Sequence, residues 1–170
     1  MKVIHLISGG DSGGAKTHVL SLLQHLNQTI TAQLVCFRDG PFAEEARQMG
    51  IPTMICGGNN VFRTRRKLAA YIREGGYEII HCHGSRANMI GAMLRKVTGL
   101  PVVTTVHSDY RLDYMGRPFA RLTFGAINAW ALRHLDYRIG VSDAMVDLLI
   151  DRGFPPDRFY AIYNGIDFTP

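Results

Sequence analysis

Short apolar runs recur along the chain at Lys2–Ser8, Ala32–Phe37, Pro52–Cys56, Glu78–Cys82, Val102–Val106, Tyr137–Val141 and Phe159–Tyr163. Between them the apolar residues return every third or fourth position, near 14–27, 41–49, 62–75, 86–98, 117–135 and 143–152. In the first such stretch Ala15, Val19, Leu22, Leu23 and Leu26 share one helical face. Near-continuous apolar strands alternating with amphipathic helices predict a strand buried on both faces in each unit. That is a Rossmann-like, doubly wound α/β fold: a mainly parallel sheet of about seven strands with helices on both sides. Gly50-Ile51-Pro52 and Gly99-Leu100-Pro101 punctuate it as helix stops feeding the next strand. Ligands of such sheets bind beyond the carboxyl ends of the strands, so the loops at 9–14, 38–41, 57–61, 83–85, 107–117 and 142–143 carry the candidate chemistry.

Composition narrows this modestly. With 170 residues, 46% hydrophobic and 19% charged, the chain suits one domain with a full core. A net charge of +5 favours anionic partners such as nucleotides, phospholipid headgroups or phosphorylated glycans. No zinc-finger spacing or aromatic RNA-binding signature points to nucleic acid. Cys36, Cys56 and Cys82 are widely spaced and odd in number, which predicts free thiols in a reducing compartment. The amino-terminal apolar run is too short for a signal peptide and no run approaches a membrane span, so a cytoplasmic protein is expected.

The first turn is the most informative. MKVIHLIS runs into GGDSGG and then AKTHVLSLLQHL, so strand, glycines and helix start bring bare backbone N–H groups up to an anion. Gly9, Gly10, Gly13 and Gly14 do not give the G-x-G-x-x-G spacing of dinucleotide folds. GGDSGGAKT misses the P-loop pattern by one residue, which turns Lys16 about 100° around the helix, away from the phosphate cradle. A tight crossover that needs glycine only for packing is the bland alternative.

Two histidine sites follow. His81 and His83 point to one face of the fourth strand and Cys82 to the other; two ligands without a third make a weak metal site, and none is expected. His83, at the strand tip before Gly84 and Ser85, is placed for ligand contact, while Ser85 is also a natural N-cap for the next helix. His107 ends the fifth strand and opens the long loop HSDYRLDYMGR, where an imidazole can donate a hydrogen bond near a reacting centre or serve the structure alone. Arg63, Arg65, Arg66 and Lys67 open a helix at its unfavourable end for cations; they read either as a solvated face or, beside Val61 and Phe62, as a contact for anionic lipid or phosphate.

Four segments in order resemble the amino-terminal half of a family 4 glycosyltransferase of the GT-B type: GGAKTHVLSLLQHL, YEIIHCHGSRANMIG, LPVVTTVHSDY, and the stretch from VSDAMVDLL to IYNGID. The resemblance implies a metal-independent, cofactor-free transferase that moves a sugar with retention of configuration from a nucleotide-diphosphate sugar to a glycan or lipid-linked acceptor, as in surface polysaccharide or lipopolysaccharide synthesis. It implies that Gly13 and Gly14 face the donor diphosphate or acceptor, that His107 lies by the transferred sugar, and that Gly84, Ser85, Ser108 and Asp109 meet the acceptor. Lys16 stands where many members carry glutamate. Residues 1–163 then form the acceptor-side domain, and 164–170, with Asn164, Gly165 and Asp167, begin the hinge. The family's E-x₇-E donor grip belongs to a second domain: eight residues beyond Glu44, Glu45, Glu74 and Glu78 lie Pro52, Thr53, Cys82 and Arg86. On this reading the chain is a truncated piece, inactive alone, with peripheral contact to an anionic membrane and no nucleic-acid partner. A non-catalytic module binding a nucleotide or phosphorylated glycan is the alternative.

Overall fold

Every apolar run of the sequence becomes a strand of one parallel sheet in a computed structural model that describes residues 1–10, 14–58, 60–109, 125–163 and 165. The strands are β1 (Lys2–Ile7), β2 (Thr31–Cys36), β3 (Thr53–Ile55), β4 (Ile79–His83), β5 (Val102–Val106), β6 (Tyr137–Gly140) and β7 (Phe159–Ala161). They lie in the order β3-β2-β1-β4-β5-β6-β7, all parallel. The helices between them are α1 (Gly14–Leu26), α2 (Pro41–Gln48), α3 (Val61–Gly75), α4 (Ser85–Thr98), α5 (Ala126–Arg133) and α6 (Asp143–Asp151). The helix expected over 117–135 appears as α5; residues 117–124 lie outside the described residues.

The side-chain period of two fixes both faces of the sheet. Ile4 and Leu6 of β1, Val35 of β2 and Ile80 and Cys82 of β4 enter one core cluster with α3 and α4. Ile7, Leu34 and Cys36 enter the other with Val19, Leu20 and Leu23 of α1 and Phe42, Ala43 and Ala46 of α2. Leu20 thus joins the stripe expected of α1, while Leu22 is only half-buried and lines a separate cavity with His18, Ser21, His25, Ile162 and Tyr163. All three cysteines are buried, and none is in a disulfide among the described residues.

Strand ends follow pairing rather than hydrophobicity. Glu78, expected in β4, instead receives the Lys2 backbone N–H on its carboxylate at 2.7 Å and so anchors the start of β1. Gly50 and Gly99 end their helices as the sequence suggests, with Gly99 N–H bonded to Arg95 O at 3.0 Å. The order reverses direction at β1, whose neighbours are β2 and β4, and the crevice at the carboxyl ends of β1, β4 and β5 is where a ligand of this topology sits.

Candidate functional site

The glycine run divides into two roles. Gly9 leaves β1 at φ 85°, and a Cβ there would come 2.5 Å from the Arg38 carbonyl oxygen, so only glycine fits. A Cβ on Gly10 would lie 3.3 Å from the Arg38 guanidinium. Gly9 thus serves packing, whereas the neighbour of Gly10 is the movable end of a side chain. Gly14, the first residue of α1, has open space among the described residues where its Cβ would be. Gly13 lies outside the described residues.

Register then assembles histidines across three strands. β1 and β4 pair so that His5 sits beside His81 and Ile7 beside His83, while Thr105 of β5 pairs with His83. His5 Nδ1 lies 3.1 Å from His83 Nε2, and His83 Nδ1 lies 3.4 Å from His107 Nε2. His81 Nε2 lies 2.8 Å from the Thr105 hydroxyl. His18 of α1 meets His107 edge-on, with ring centres 4.9 Å apart.

Burial sets their charge. Desolvation, and then the neighbouring His18, push the His5 pKa down to about 3. The same two causes lower His107 to about 4. His81 and His83 are held well below the usual imidazole range by burial first and by the other imidazoles second. The cluster is therefore neutral at physiological pH.

His5, His81 and His83 bring one nitrogen each within 4.8 Å of one another, so the third ligand that the sequence did not offer is present. Their orientation is that of hydrogen-bonded and stacked rings. His81 lies over the face of His83 with ring centres 4.4 Å apart and planes 23° apart. Rings stacked this way do not aim both in-plane lone pairs at one ion.

Beside the cluster a cavity of about 270 Å³ opens at the sheet edge, lined among others by Ala15, His83, Gly84, Ser85, His107 and Ser108. Five of the residues singled out in the sequence are thus brought together. Ser85 is not the N-cap expected of it: Gly84, at φ 84°, holds that position and Ser85 is the first residue of α4. The chain turns too sharply after His83 for a side chain, so α4 begins without a side-chain cap and its first N–H groups remain available to a ligand.

The floor of the cavity is polar and braced. Thr104 donates to Asn88 Oδ1 at 2.6 Å, and Asn88 donates to Asn128 Oδ1 at 3.0 Å. Asp109 is turned elsewhere, its carboxylate paired with Arg152 after α6. Lys16, likewise, pairs with Glu45 of α2.

The basic cluster forms a separate surface. Arg63, Arg65 and Arg66 line an open groove of about 770 Å³ with Asn60, Phe62 and Arg73, and Lys67 lines a neighbouring one with Arg63 and Thr64. Asn60 caps α3 by accepting the Arg63 N–H at 3.0 Å, which holds the cations in its first turns. Gly165 borders the cavity beside α1, whereas Asn164 and Asp167 lie outside the described residues.

Sequence reasoning missed His5, Asn88 and Asn128. His5 sits in an apolar run and reads as an interruption of it; only the β1–β4 adjacency reveals its partners. Asn88 is polar on the buried face of α4, a signal visible once Ala87, Ile90, Gly91 and Leu94 are taken as that face.

The model of Glycosyltransferase Family 4 matches residues 12–169. The chain is 23% identical over 158 residues to the Escherichia coli UDP-Gal:alpha-D-GlcNAc-diphosphoundecaprenol alpha-1,3-galactosyltransferase, covering 83% of this chain and 38% of that protein. It is 26% identical over 170 residues to the alpha-maltose-1-phosphate synthase of Mycolicibacterium smegmatis, covering 92% of this chain and 42% of the relative. Among solved structures, Anabaena HepE in complex with UDP-glucose superposes with a TM-score of 0.82 at 21% identity, over 98% of this chain and 44% of that one. The chain spans about two fifths of the length of the curated relatives it matches.

Proposed function

Because this chain belongs to glycosyltransferase family 4, we propose that it is the acceptor-side domain of a retaining transferase that carries a hexose from a nucleotide-diphosphate sugar to a glycan or lipid-linked acceptor. The observation that carries the reading is the cavity where His107, Ser108 and the uncapped start of α4 meet at the carboxyl edge of the sheet. Diphosphate chemistry suits two helix starts, at Gly14 and at Gly84–Ser85, that offer N–H donors and positive dipole ends to developing negative charge. His107, neutral because it is buried, offers the sugar a hydrogen bond without placing a cation beside the reacting carbon. No metal has a part in this scheme.

The E. coli relative's name gives it a diphosphoundecaprenol acceptor, and the HepE structure holds UDP-glucose. Both support a nucleotide-sugar donor here, and the E. coli relative supports a lipid-linked acceptor. The donor grip belongs to a further domain, so this chain by itself does not turn over. The surface of Arg63, Arg65, Arg66 and Lys67, with its two neighbouring grooves, docks on the anionic cytoplasmic face of a membrane, with Phe62, 67% exposed, inserted among the headgroups. Among the described residues no helix is long and apolar enough to cross a membrane.

The test is transfer by the intact polypeptide that contains this chain, offered a panel of nucleotide sugars with a lipid-linked acceptor, beside the 170-residue chain. Retained anomeric configuration, loss of about 10²-fold in turnover for His107→Ala, and no turnover by the chain alone are expected. An inverted product overturns retention, full turnover in His107→Ala removes that residue from the chemistry, and saturable binding without transfer makes the chain a binding module.

A further inference from the structure

Three rings meet nitrogen to nitrogen in a line from the core to the cavity. His5 and His83 have planes only 11° apart and centres 5.4 Å apart, with Nδ1 and Nε2 separated by 3.1 Å. Rings so arranged lie edge to edge in nearly one plane. His83 and His107 repeat the arrangement at 30°, 5.7 Å and 3.4 Å. His83 is the middle link, engaged at both nitrogens. The inner end is His5, wholly buried, whose Nε2 has no hydrogen-bond partner among the described residues. The outer end is His107, which lines the cavity.

A row of neutral imidazoles permits two proton arrangements, because each ring carries one N–H and one lone pair. In one, every proton sits on Nδ1: His5 donates to His83, His83 donates to His107, and His107 Nδ1–H remains for whatever occupies the cavity. In the other, every proton sits on Nε2, the bonds run inward, and the row ends on an N–H of His5 buried without an acceptor. The first arrangement leaves a lone pair orphaned in the core and the second a donor, and orphaned buried N–H groups are the rarer of the two.

We infer that His83 and His5 are positioning residues that fix His107 in the Nδ1–H tautomer, so that it meets its ligand as a hydrogen-bond donor through Nδ1. Each ring that faces the row is itself an imidazole: His81 on β4 lies over His83 and His5, and His18 of α1 lies against His107. Burial keeps the row neutral, which is the condition for a directional tautomer rather than an imidazolium. Thr105, paired in register with His83, takes up His81 Nε2 and keeps that ring out of the row. Donation to a sugar oxygen rests on the transfer reading above; the tautomer itself does not.

The experiment is a long-range ¹H–¹⁵N correlation spectrum of the full chain with ¹⁵N-labelled histidine near neutral pH, in which the two tautomers give different nitrogen shifts. His107 is expected with a protonated Nδ1 and a bare Nε2. His83→Leu abolishes the preference, and His83→Asn, whose amide N–H replaces the Nδ1 donor, restores it. A wild-type His107 protonated on Nε2 overturns the inference outright, and so does a tautomer unmoved in His83→Leu. If His83→Leu fails to fold, the wild-type spectrum decides alone. In the intact transferase kcat falls about tenfold in His83→Leu with the donor KM little changed, and His83→Asn recovers most of it. An Nδ1–H tautomer in a protein that transfers no sugar leaves the row standing and sinks the transferase reading instead.

Discussion

Arg152, immediately after α6, holds both carboxylate oxygens of Asp109, and each side chain is only 13% exposed. The pair ties the segment that carries His107 and Ser108 to the helix that follows β6. Charged hydrogen bonds in such partly buried places contribute about 1.5–3 kcal/mol. Arg152→Met and Asp109→Asn are each expected to lower stability by that order. The double variant should lose less than the two together, because each single change already breaks the pair. Urea unfolding of all four proteins reads the coupling; strict additivity refutes it.

The glycine run separates by experiment as it does by geometry. Gly9→Ala forces a methyl onto the Arg38 carbonyl at a left-handed backbone position and should cost about 2 kcal/mol or more. Gly14→Ala meets nothing among the described residues and should leave stability within about 1 kcal/mol of the parent. On the proposed function its methyl obstructs the start of α1, so nucleotide-sugar binding by the intact protein weakens. Thermal melts paired with a nucleotide titration distinguish the two, and equal melting losses defeat the division of roles.

Acid should unfold this domain unusually early. His5, His81, His83 and His107 have folded pKa values below the unfolded 6.5, so the unfolded chain binds more protons than the folded one as pH falls. Their contribution is complete above 6.5 and is lost downward from there, at up to about 1.4 kcal/mol per pH unit for each ring. Unfolding free energies measured from neutrality down to about pH 5 should fall steeply, and His5→Leu should flatten the slope. A flat profile over that window contradicts the neutral cluster.

Gly91 lets α4 lie directly on β4: a Cβ there would stand 2.4 Å from Cys82 Sγ and 3.2 Å from Val102 Cγ1. Gly91→Ala should therefore lose about 1–3 kcal/mol by overpacking. Adding Cys82→Ala removes the nearer obstacle and should recover much of that loss. Calorimetric melting of both variants checks it, and a double variant no better than Gly91→Ala shows that the strain lies elsewhere.

The architecture was legible because the inner strands β1, β2, β4 and β5 are buried on both faces and the helices on one, so hydrophobic spacing carries both signals at once. β5 matches its apolar run residue for residue, and the other strands differ only at their ends. There partners decide: Glu78 leaves β4 to hold Lys2, and β6 stops at Gly140, where a Cβ would lie 2.7 Å from Val146 as the chain turns into α6. The site was legible where chemistry sits at a strand tip, as with His83 and His107. It was not legible where meaning depends on strand order. His5 looks like a blemish in an apolar run until β4 lies beside it. Ser85 has the composition of a cap, but only the backbone after His83 shows that Gly84 holds that place.

The same strand order has a consequence for how the site comes into being. His5 and His83 are 78 residues apart in sequence, and His83 and His107 a further 24. β1 pairs with β2, a near neighbour along the chain, and with β4 only across the long excursion through α1, α2 and α3. Contacts of such separation are entropically the slowest to form. The row of imidazoles is therefore among the most non-local features of the domain, and its spectroscopic signature marks completion of the central crossover rather than the collapse of either flank.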